Sequence, residues 1–279
     1  MAGLDSGGAE QLRFGENALY RLATAPVVVR VARGPAYLAS ARREVAVSRW
    51  LADVGFPAVR TVDDIEQPLT VDGHPVTFWR LIEDAGRPAT YGELGAVLRD
   101  LHSLTPPSHL ELPHFDAFGR ADRRIELTEG VSDDDRVFLR KRRQELADRL
   151  AGLEFDSRRG PVHGDAHTDN LMVDRQGELH LIDLENFCLD RPEWDLVVSA
   201  HEYDRLGWLN GDEYTAFVDG YGRDVRDWPG FGVLAAVQEF KMTTWLMQNI
   251  AEGPHIAAEV RSRLASLRDA DAPRHWHPY

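Results

Sequence analysis

A polar loop followed by a short predicted hairpin constrains this sequence more than any other segment. The loop spans residues 163–170 and leads into mainly apolar triplets at 171–173 and 179–181, which flank a polar turn containing Gly177. Apolar segments of this length around a glycine turn are typical of a β-hairpin. Because a hairpin brings its ends together, we expect Asn170 at the entrance to lie beside Asp183 at the exit.

Two carboxylates and an amide oxygen should therefore converge at the mouth of the hairpin, because Asp165 lies just upstream on the loop. Hard oxygen ligands of this kind suit Mg²⁺, whose coordination is completed by substrate phosphates and water. An aspartate in a loop more commonly caps a helix or closes a turn, so each residue alone indicates little. The spacing of Asp165, Asn170 and Asp183 together is what predicts a magnesium site.

The pattern His163-Gly164-Asp165-x-His167-x-x-Asn170, followed by Ile182-Asp183, resembles the catalytic core of the aminoglycoside phosphotransferase and choline kinase-like family. The segment Pro192–Leu196 is similar to the P-x-x-D-L segment of that family, and weaker motifs extend the resemblance through most of the chain. The resemblance implies an α+β fold of the two-lobed, protein-kinase-like type. It also implies Mg²⁺-dependent transfer of the γ-phosphoryl group of ATP to a hydroxyl of a small molecule, such as an aminoglycoside, amino sugar or amino alcohol.

The resemblance assigns roles to the loop residues. Asp165 corresponds to the catalytic aspartate, which accepts or orients the substrate hydroxyl, and Asn170 and Asp183 correspond to the ligands of the magnesium ions. The Asp165-x₄-Asn170 spacing matches the kinase catalytic-loop pattern, and phosphoryl transfer depends mainly on positioning and charge neutralisation. We expect supporting roles in the loop for His163, His167 and Asp195.

On the nucleotide side, members of the family use a strand lysine that holds the phosphates and pairs with a helix glutamate. The strand Val27–Val31 offers Arg30 instead, and Glu44 on the following helix is the predicted partner. Arginine keeps the charge but is bulkier than lysine and not interchangeable with it. The alternative is that Arg30 is an ordinary exposed cation. The turn Gly15–Asn17 resembles the shortened nucleotide loop of the family, which makes Asn17 a candidate nucleotide contact.

The adenine hinge is expected at Leu81–Asp84, where the backbone around Glu83 could meet the base. Side chains in this segment do not distinguish ATP from GTP, so ATP is expected from the family resemblance alone.

Acceptor selection in this fold comes from helices after the metal site. Carboxylates beside an aromatic ring could receive a cationic amine. The alternative is that the aromatic belongs to the core and the acids to the solvated surface. The candidates are Glu202, Asp204, Glu239 and Trp245.

The order of predicted elements divides the chain into a β-rich nucleotide-binding lobe at 1–84 and a mainly helical catalytic lobe at 85–279. Strands are expected at 27–31 and 76–82, with Asp72-Gly73 as a hairpin turn, and a helix at 36–54. Further helices are expected after the capping box at Thr90, after Ser132, and at 232–249 and 256–268.

Composition excludes several classes of function. The 279 residues carry a net charge of −14, which disfavours nucleic-acid partners. A single cysteine excludes an intramolecular disulfide, and no apolar run approaches the roughly 18 residues of a membrane span. The first residues do not resemble a signal peptide, so we expect a soluble, cytoplasmic protein without a membrane partner.

The basic residues are almost all arginines. Only Lys141 and Lys241 among the 32 are lysines, a bias that we attribute to genome composition.

Two alternatives stay open at this point. A metal-dependent hydrolase could use His163, Asp165, His167 and Asp183, because histidines near carboxylates can hold Zn²⁺ or Mn²⁺. A catalytically silent nucleotide-binding protein is suggested by Arg30 in the place of lysine.

Overall fold

The computed structural model describes residues 2–14, 17–269 and 272–279. The N-terminal part is an antiparallel sheet of five strands, with one long helix after the third strand. The elements are β1 (Glu10–Phe14), β2 (Asn17–Arg21), β3 (Val27–Ala32), α1 (Leu38–Asp53), β4 (Leu69–Val71) and β5 (His74–Arg80). The strands lie in the order β1-β2-β3-β5-β4.

Local sequence explains this arrangement. The β-branched run of β3 is buried at both ends, and Pro35 opens a 3₁₀ turn that leads directly into α1. Asp72 and Gly73 have positive φ angles of 49° and 81°, as a two-residue hairpin turn of type I′ requires. The predicted strand, helix and hairpin of this part are therefore confirmed.

The C-terminal part is mainly helical. Its helices are α2 (Tyr91–Ser103), α3 (Ala121–Leu127), α4 (Asp133–Ala151), α5 (Glu193–His201), α6 (Gly211–Tyr221), α7 (Phe231–Met247) and α8 (Pro254–Arg268). The short strands β6 (Gly160–Val162) and β9 (Cys188–Asp190) pair with each other, and β7 (Leu171–Val173) pairs with β8 (Leu179–Leu181) as the predicted hairpin.

Both predicted helix starts are confirmed. Thr90 Oγ1 accepts from the backbone of Glu93 while the Glu93 carboxylate accepts from the backbone of Thr90, which forms a capping box. Ser132 Oγ accepts from the backbone N–H of Asp135 at the start of α4.

The β7–β8 hairpin joins the two parts of the fold. Leu181 exchanges backbone hydrogen bonds with Pro57 and Val59, and the N–H of Ala85 donates to Val173 O at 2.9 Å. Asn170 and Asp183, at the two ends of the hairpin, thus lie between the sheet and the helices.

The two-lobed α+β fold is confirmed, while the division after residue 84 stays a prediction. No helix within the described residues is long and apolar enough to cross a membrane.

Helices α2 and α6 approach each other closely at glycines. A Cβ atom on Gly95 would lie 2.3 Å from Phe217 O, and one on Gly220 would lie 2.4 Å from Gly92 O. Gly95→Ala should therefore lower the free energy of unfolding by about 1–3 kcal/mol, despite the better helix propensity of alanine. Urea unfolding measures this loss.

Gly211→Ala is the matched control, because a Cβ at this first residue of α6 meets nothing within 4 Å. Its effect should stay within about 0.5 kcal/mol. Equal losses in the two variants would contradict the close approach of the helices.

Candidate active site

One buried carboxylate, that of Asp195, fixes the polar loop at 163–170. The backbone N–H groups of His163 and Gly164 donate to the two oxygens of Asp195, each at 2.8 Å. His102 Nε2 lies 3.0 Å from Asp195 Oδ2, and the side chain of Asp195 is fully buried. Asp195, in the first turn of α5, thus holds the loop through these hydrogen bonds.

Gly164 and His163 set the path of the loop. The φ angle of Gly164 is 83°, and a Cβ there would lie 2.5 Å from Asn186 O, so only glycine fits. The buried His163 ring donates from Nε2 to Ile182 O at 2.8 Å. His163 therefore braces the loop against the end of the hairpin.

The side chain of Asn170 has one fixed orientation. Its amide nitrogen donates to Asp165 O at 2.8 Å and lies 3.0 Å from His167 Nε2. Its Oδ1 atom makes no hydrogen bond with any residue that the structure describes. An oriented amide oxygen is thus available for a ligand.

Asp165 is ionised at neutral pH. Burial raises the pKa of this carboxyl, but the imidazole of His167, 3.5 Å from Oδ2, with His163 and Lys241 outweighs burial and holds the pKa below its usual range. Burial lowers the pKa of His167, but Asp165, Asp169 and Glu202 outweigh that effect and raise it above its usual value. The carboxylate is half exposed and accessible to a reactant.

Asp183 lies at the exit of the hairpin, as predicted, because Ile182 N–H donates to Asn170 O at 2.9 Å. Its side chain is exposed, and its φ angle of 56° places a non-glycine residue in the left-handed region. Such strain is typically found at functional sites. Asp72, the other described non-glycine residue with positive φ, is explained by its hairpin turn.

The available oxygen donors fit a magnesium ion that is carried by a nucleotide. Asn170 Oδ1 and the exposed Asp183 carboxylate are hard oxygen ligands, and Mg²⁺ commonly takes one or two protein ligands with the rest from phosphate and water. Within the described ranges no group of three or more His, Cys, Asp and Glu side chains could hold a metal ion. Since His163 is also committed to Ile182 O, the zinc-type centre of the hydrolase alternative gains no support.

Arg30 lies between two carboxylates. Nη1 is 2.6 Å from Glu44 Oε2, the predicted partner, and Nη2 is 2.6 Å from Glu185 Oε2. The Arg30 side chain is only 14% exposed, so the interpretation as an ordinary exposed cation is wrong. Burial raises the pKa of Glu44 to about 7, and Arg30 opposes this shift.

Asn17 completes the surroundings of Arg30. With its amide oxygen turned toward the guanidinium, Asn17 accepts from Nη2 at 2.6 Å and from Nε at 3.0 Å. Gly15 and Glu16, the rest of the predicted nucleotide turn, lie outside the described residues.

The expected hinge is partly occupied by protein hydrogen bonds. Leu81 N–H donates to Pro26 O, and Glu83 O accepts from Arg175 N–H. The Glu83 carboxylate also pairs with Arg175, at 3.0 Å. The backbone N–H of Glu83 has no acceptor among the described residues, so it is available to donate a hydrogen bond to a nucleotide base.

The acceptor candidates fall into two groups. Burial raises the pKa of Glu202 to about 7, and Tyr91 Oη lies 3.5 Å from its carboxylate. Trp245 is 39% exposed on α7. Both therefore remain candidates.

Glu239 and Asp204 are committed elsewhere. The buried Glu239 lies 3.1 Å from Arg274 and 3.7 Å from His201, so its carboxylate is occupied by the C-terminal segment. Asp204 pairs with the neighbouring Arg205 at 3.0 Å, and both side chains are exposed. The contacts of Glu239 do not support an acceptor role, and the contact of Asp204 matches the alternative that the acids belong to the solvated surface.

Two residues near the site were not assigned from the sequence. Glu185 follows Asp183 by two residues and forms the second ion pair of Arg30, but its spacing alone gave it no role. Lys241, on α7, helps to lower the pKa of Asp165. Lysine is rare in this sequence, but the position of Lys241 depends on how α7 packs.

Comparisons with known proteins identify a family and a fold. The sequence model of the "Phosphotransferase enzyme family" (APH) matches residues 10–234. A search of curated proteins finds no match.

Solved structures share the fold at low identity. The amicoumacin kinase hAmiN, in complex with AMP-PNP, Ca²⁺ and Ami, has a TM-score of 0.72 at 14% identity, over 96% of this chain and 90% of that chain. A microcompartment-associated aminopropanol kinase has a TM-score of 0.69 at 20% identity, over 93% and 90%. The choline kinase LicA from Streptococcus pneumoniae has a TM-score of 0.61 at 18% identity, over 93% of each chain.

Proposed function

Because the chain belongs to the phosphotransferase enzyme family, we propose that this small-molecule phosphotransferase uses ATP and Mg²⁺ to phosphorylate a hydroxyl group of a small acceptor. The observation that carries the proposal is the convergence of Asp165, Asn170 and Asp183 at the mouth of the hairpin. The ion pair between Arg30 of β3 and Glu44 of α1 supplies the matching nucleotide side.

In the proposed reaction, Asp165 orients the acceptor hydroxyl and takes its proton. The acceptor oxygen forms a bond to the γ-phosphorus while the bond between that phosphorus and the β–γ bridging oxygen breaks, and ADP leaves with the electron pair. An ionised, half-exposed carboxylate suits this role, because it is both accessible and unprotonated at neutral pH.

Asn170 and Asp183 would hold Mg²⁺, which when bound neutralises charge on the transferring phosphates. The residues of the chain provide the orientation. Asn170 is fixed through its amide nitrogen by Asp165 O and His167, so its oxygen needs no reorganisation to meet a ligand.

Arg30 is the proposed phosphate contact, and Glu44 and Glu185 fix its guanidinium. Arginine has five N–H donors, and the contacts with Glu44, Glu185 and Asn17 occupy four of them, so one N–H of Nη1 is left for a phosphate oxygen. The backbone N–H of Glu83 is the proposed contact for the base, and Asn17 is proposed to support the nucleotide side.

Glu202 is the proposed contact for a cationic amine on the acceptor. Because burial raises the pKa of Glu202 to about 7, its carboxyl changes from mostly neutral to mostly ionised across neutral pH. From about pH 6 to about pH 8, KM for an amine-bearing acceptor should fall roughly tenfold, and Glu202→Gln should flatten this dependence. Steady-state kinetics over that range measure both.

The Gln variant also separates the titration of Glu202 from that of His167, whose pKa the neighbouring carboxylates raise despite its burial. If KM falls as steeply in Glu202→Gln as in the unmodified enzyme, Glu202 is not the amine contact.

A coupled ATP-consumption screen tests the proposed function. Aminoglycosides, amino sugars, choline-like amines, nucleosides and macrolides are the acceptors, and EDTA is the control for the metal. ATP consumption that depends on one acceptor class and on Mg²⁺ supports the proposal. Hydrolysis without nucleotide would support the hydrolase, and a thermal shift with ATP but no acceptor-dependent turnover would support a silent nucleotide-binding protein.

A further inference from the structure

The turn that carries Glu202 has a rare backbone geometry. It is a single stretch of π-helix, Glu202–Leu206, which continues α5 and ends at Gly207 with a φ angle of 63°. π-Helical turns are uncommon and are frequently found at functional sites. This turn, named here the π-turn, is contacted by residues 274–277, which are named the C-terminal strap.

Trp276 of the strap contacts the end of the π-turn in two ways. Its backbone oxygen accepts from the indole N–H of Trp208 at 2.9 Å. Its buried ring belongs to one apolar cluster with Leu206 and Leu267. The backbone N–H of Trp208 in turn donates to Glu202 O at 3.0 Å. Trp276 is therefore linked to Glu202 by two hydrogen bonds through Trp208.

A buried ion pair supports the start of the π-turn. Arg274 Nη2 of the strap lies 3.1 Å from Glu239 Oε2, and the two side chains are 6% and 4% exposed. Glu239 Oε1 lies 3.7 Å from Nε2 of His201, the buried residue that precedes Glu202. The strap thus supports the chain on both sides of Glu202.

The strap is itself anchored on α8. The backbone N–H of His277 donates to Glu259 Oε1 at 3.0 Å, and the backbone oxygen of His277 accepts from Arg263 Nη2 at 2.6 Å. The indole N–H of Trp276 donates to Ser266 Oγ at 2.9 Å. Because Glu259, Arg263 and Ser266 are buried residues of one helix, the strap rests on a fixed part of the core.

The Glu202 side chain has little support of its own. Within the described residues its carboxylate makes one hydrogen bond, donated by Tyr91 Oη at 3.5 Å, which is long for an O–H···O contact. A side chain with one weak contact takes its position mainly from the backbone that carries it. That backbone is fixed by the π-turn, and the π-turn is held by the strap.

We propose that the C-terminal strap positions the acceptor side of the site: by holding the π-turn, Trp276 keeps the Glu202 carboxylate in place for the acceptor amine. The inference rests on the proposed function, in which Glu202 is the amine contact. Trp276 acts through Trp208 and the π-turn, so it is a positioning residue and not a catalytic one.

Two substitutions form a matched pair, because each removes one hydrogen bond of Trp276. Trp208→Phe removes the bond to the π-turn and keeps an aromatic ring. Ser266→Ala removes the bond to α8 and leaves the bond to Trp208 in place. Urea unfolding should show similar, small losses of stability in the two variants, so that other differences between them report on the π-turn.

Hydrogen exchange tests the support without turnover. The N–H of Gly207 donates to Glu202 O and closes the π-turn. It should exchange about 3- to 10-fold faster in Trp208→Phe, as expected for the loss of one hydrogen bond, and within about twofold of the unmodified protein in Ser266→Ala. Equal exchange in the two variants would overturn the proposal.

The titration of Glu202 shows whether its carboxyl keeps its place. Burial raises the pKa of Glu202 to about 7, and the groups that act on it, His167, Tyr91 and Asp169, are the same in both variants. In protein labelled with carbon-13 at the glutamate carboxyl, Glu202→Gln assigns the signal. Trp208→Phe should lower the midpoint by admitting water, whereas Ser266→Ala should not. Equal midpoints in the two variants would overturn the proposal.

Kinetics separate positioning from a loss of stability. With the acceptor that the ATP-consumption screen identifies, Trp208→Phe should raise KM for the acceptor about 3- to 10-fold and leave kcat and KM for ATP within about twofold. Ser266→Ala should leave all three unchanged. An equal acceptor KM in both variants would overturn the positioning role. Without any phosphorylated acceptor the proposed function fails, whereas faster exchange and a lower Glu202 midpoint in Trp208→Phe alone would still support the strap.

Discussion

Asp165→Asn is expected to lower kcat for phosphoryl transfer by about 10²- to 10⁴-fold, the range for loss of a positioned general base. Asparagine has nearly the shape of aspartate but cannot take the proton of the acceptor hydroxyl. The backbone oxygen of Asp165, which accepts from Asn170, is kept in the variant, so the metal side of the site stays intact. We therefore expect ATP affinity to change little while turnover collapses.

The measurement is kcat with a saturating acceptor, together with the Kd of the Mg²⁺–nucleotide complex. Asp156→Asn is the control, because Asp156 is an exposed carboxylate of the loop before β6. Its kcat should match that of the unmodified enzyme. Undiminished turnover in Asp165→Asn would remove Asp165 from the mechanism.

Asp195→Ala is expected to lower the free energy of unfolding by about 3 kcal/mol or more. The change leaves the buried N–H groups of His163 and Gly164 without acceptors and removes the contact with His102 Nε2. Water cannot easily replace the carboxylate, because its side chain is fully buried. The catalytic loop should lose its fixed path as well.

Urea unfolding measures the loss, and Asp212→Ala provides a matched control. Asp212 is also in the first turn of a helix, but it is exposed, so its replacement should cost no more than about 0.5 kcal/mol. A loss for Asp195→Ala as small as that of the control would show that the loop does not depend on this carboxylate.

Features encoded by nearby residues could be predicted from the sequence. The hairpin at 171–181 follows from its glycine turn, and the start of α2 follows from the Thr90 capping box. The Arg30–Glu44 pair could also be predicted, because the strand and helix that carry these residues are consecutive and the family resemblance supplied the pattern.

Contacts between distant segments could not be predicted in this way. Lys241 reaches the Phe115 ring because of the way α7, which is buried on most of its faces, packs against its neighbours. Glu239, two residues earlier on the same helix, is instead turned toward Arg274. Sequence spacing does not distinguish these two orientations, because α7 is apolar around most of its circumference and has no clear polar face.

The most direct test of the central claim is the fate of the γ-phosphoryl group. The protein is incubated with ATP, Mg²⁺ and the acceptor panel, and the products are identified by phosphorus NMR and mass spectrometry. The account predicts a phosphomonoester of one acceptor class, formed in equal amount with ADP and lost in Asp165→Asn. ADP with only inorganic phosphate for every acceptor, or the same phosphomonoester in Asp165→Asn, would contradict it.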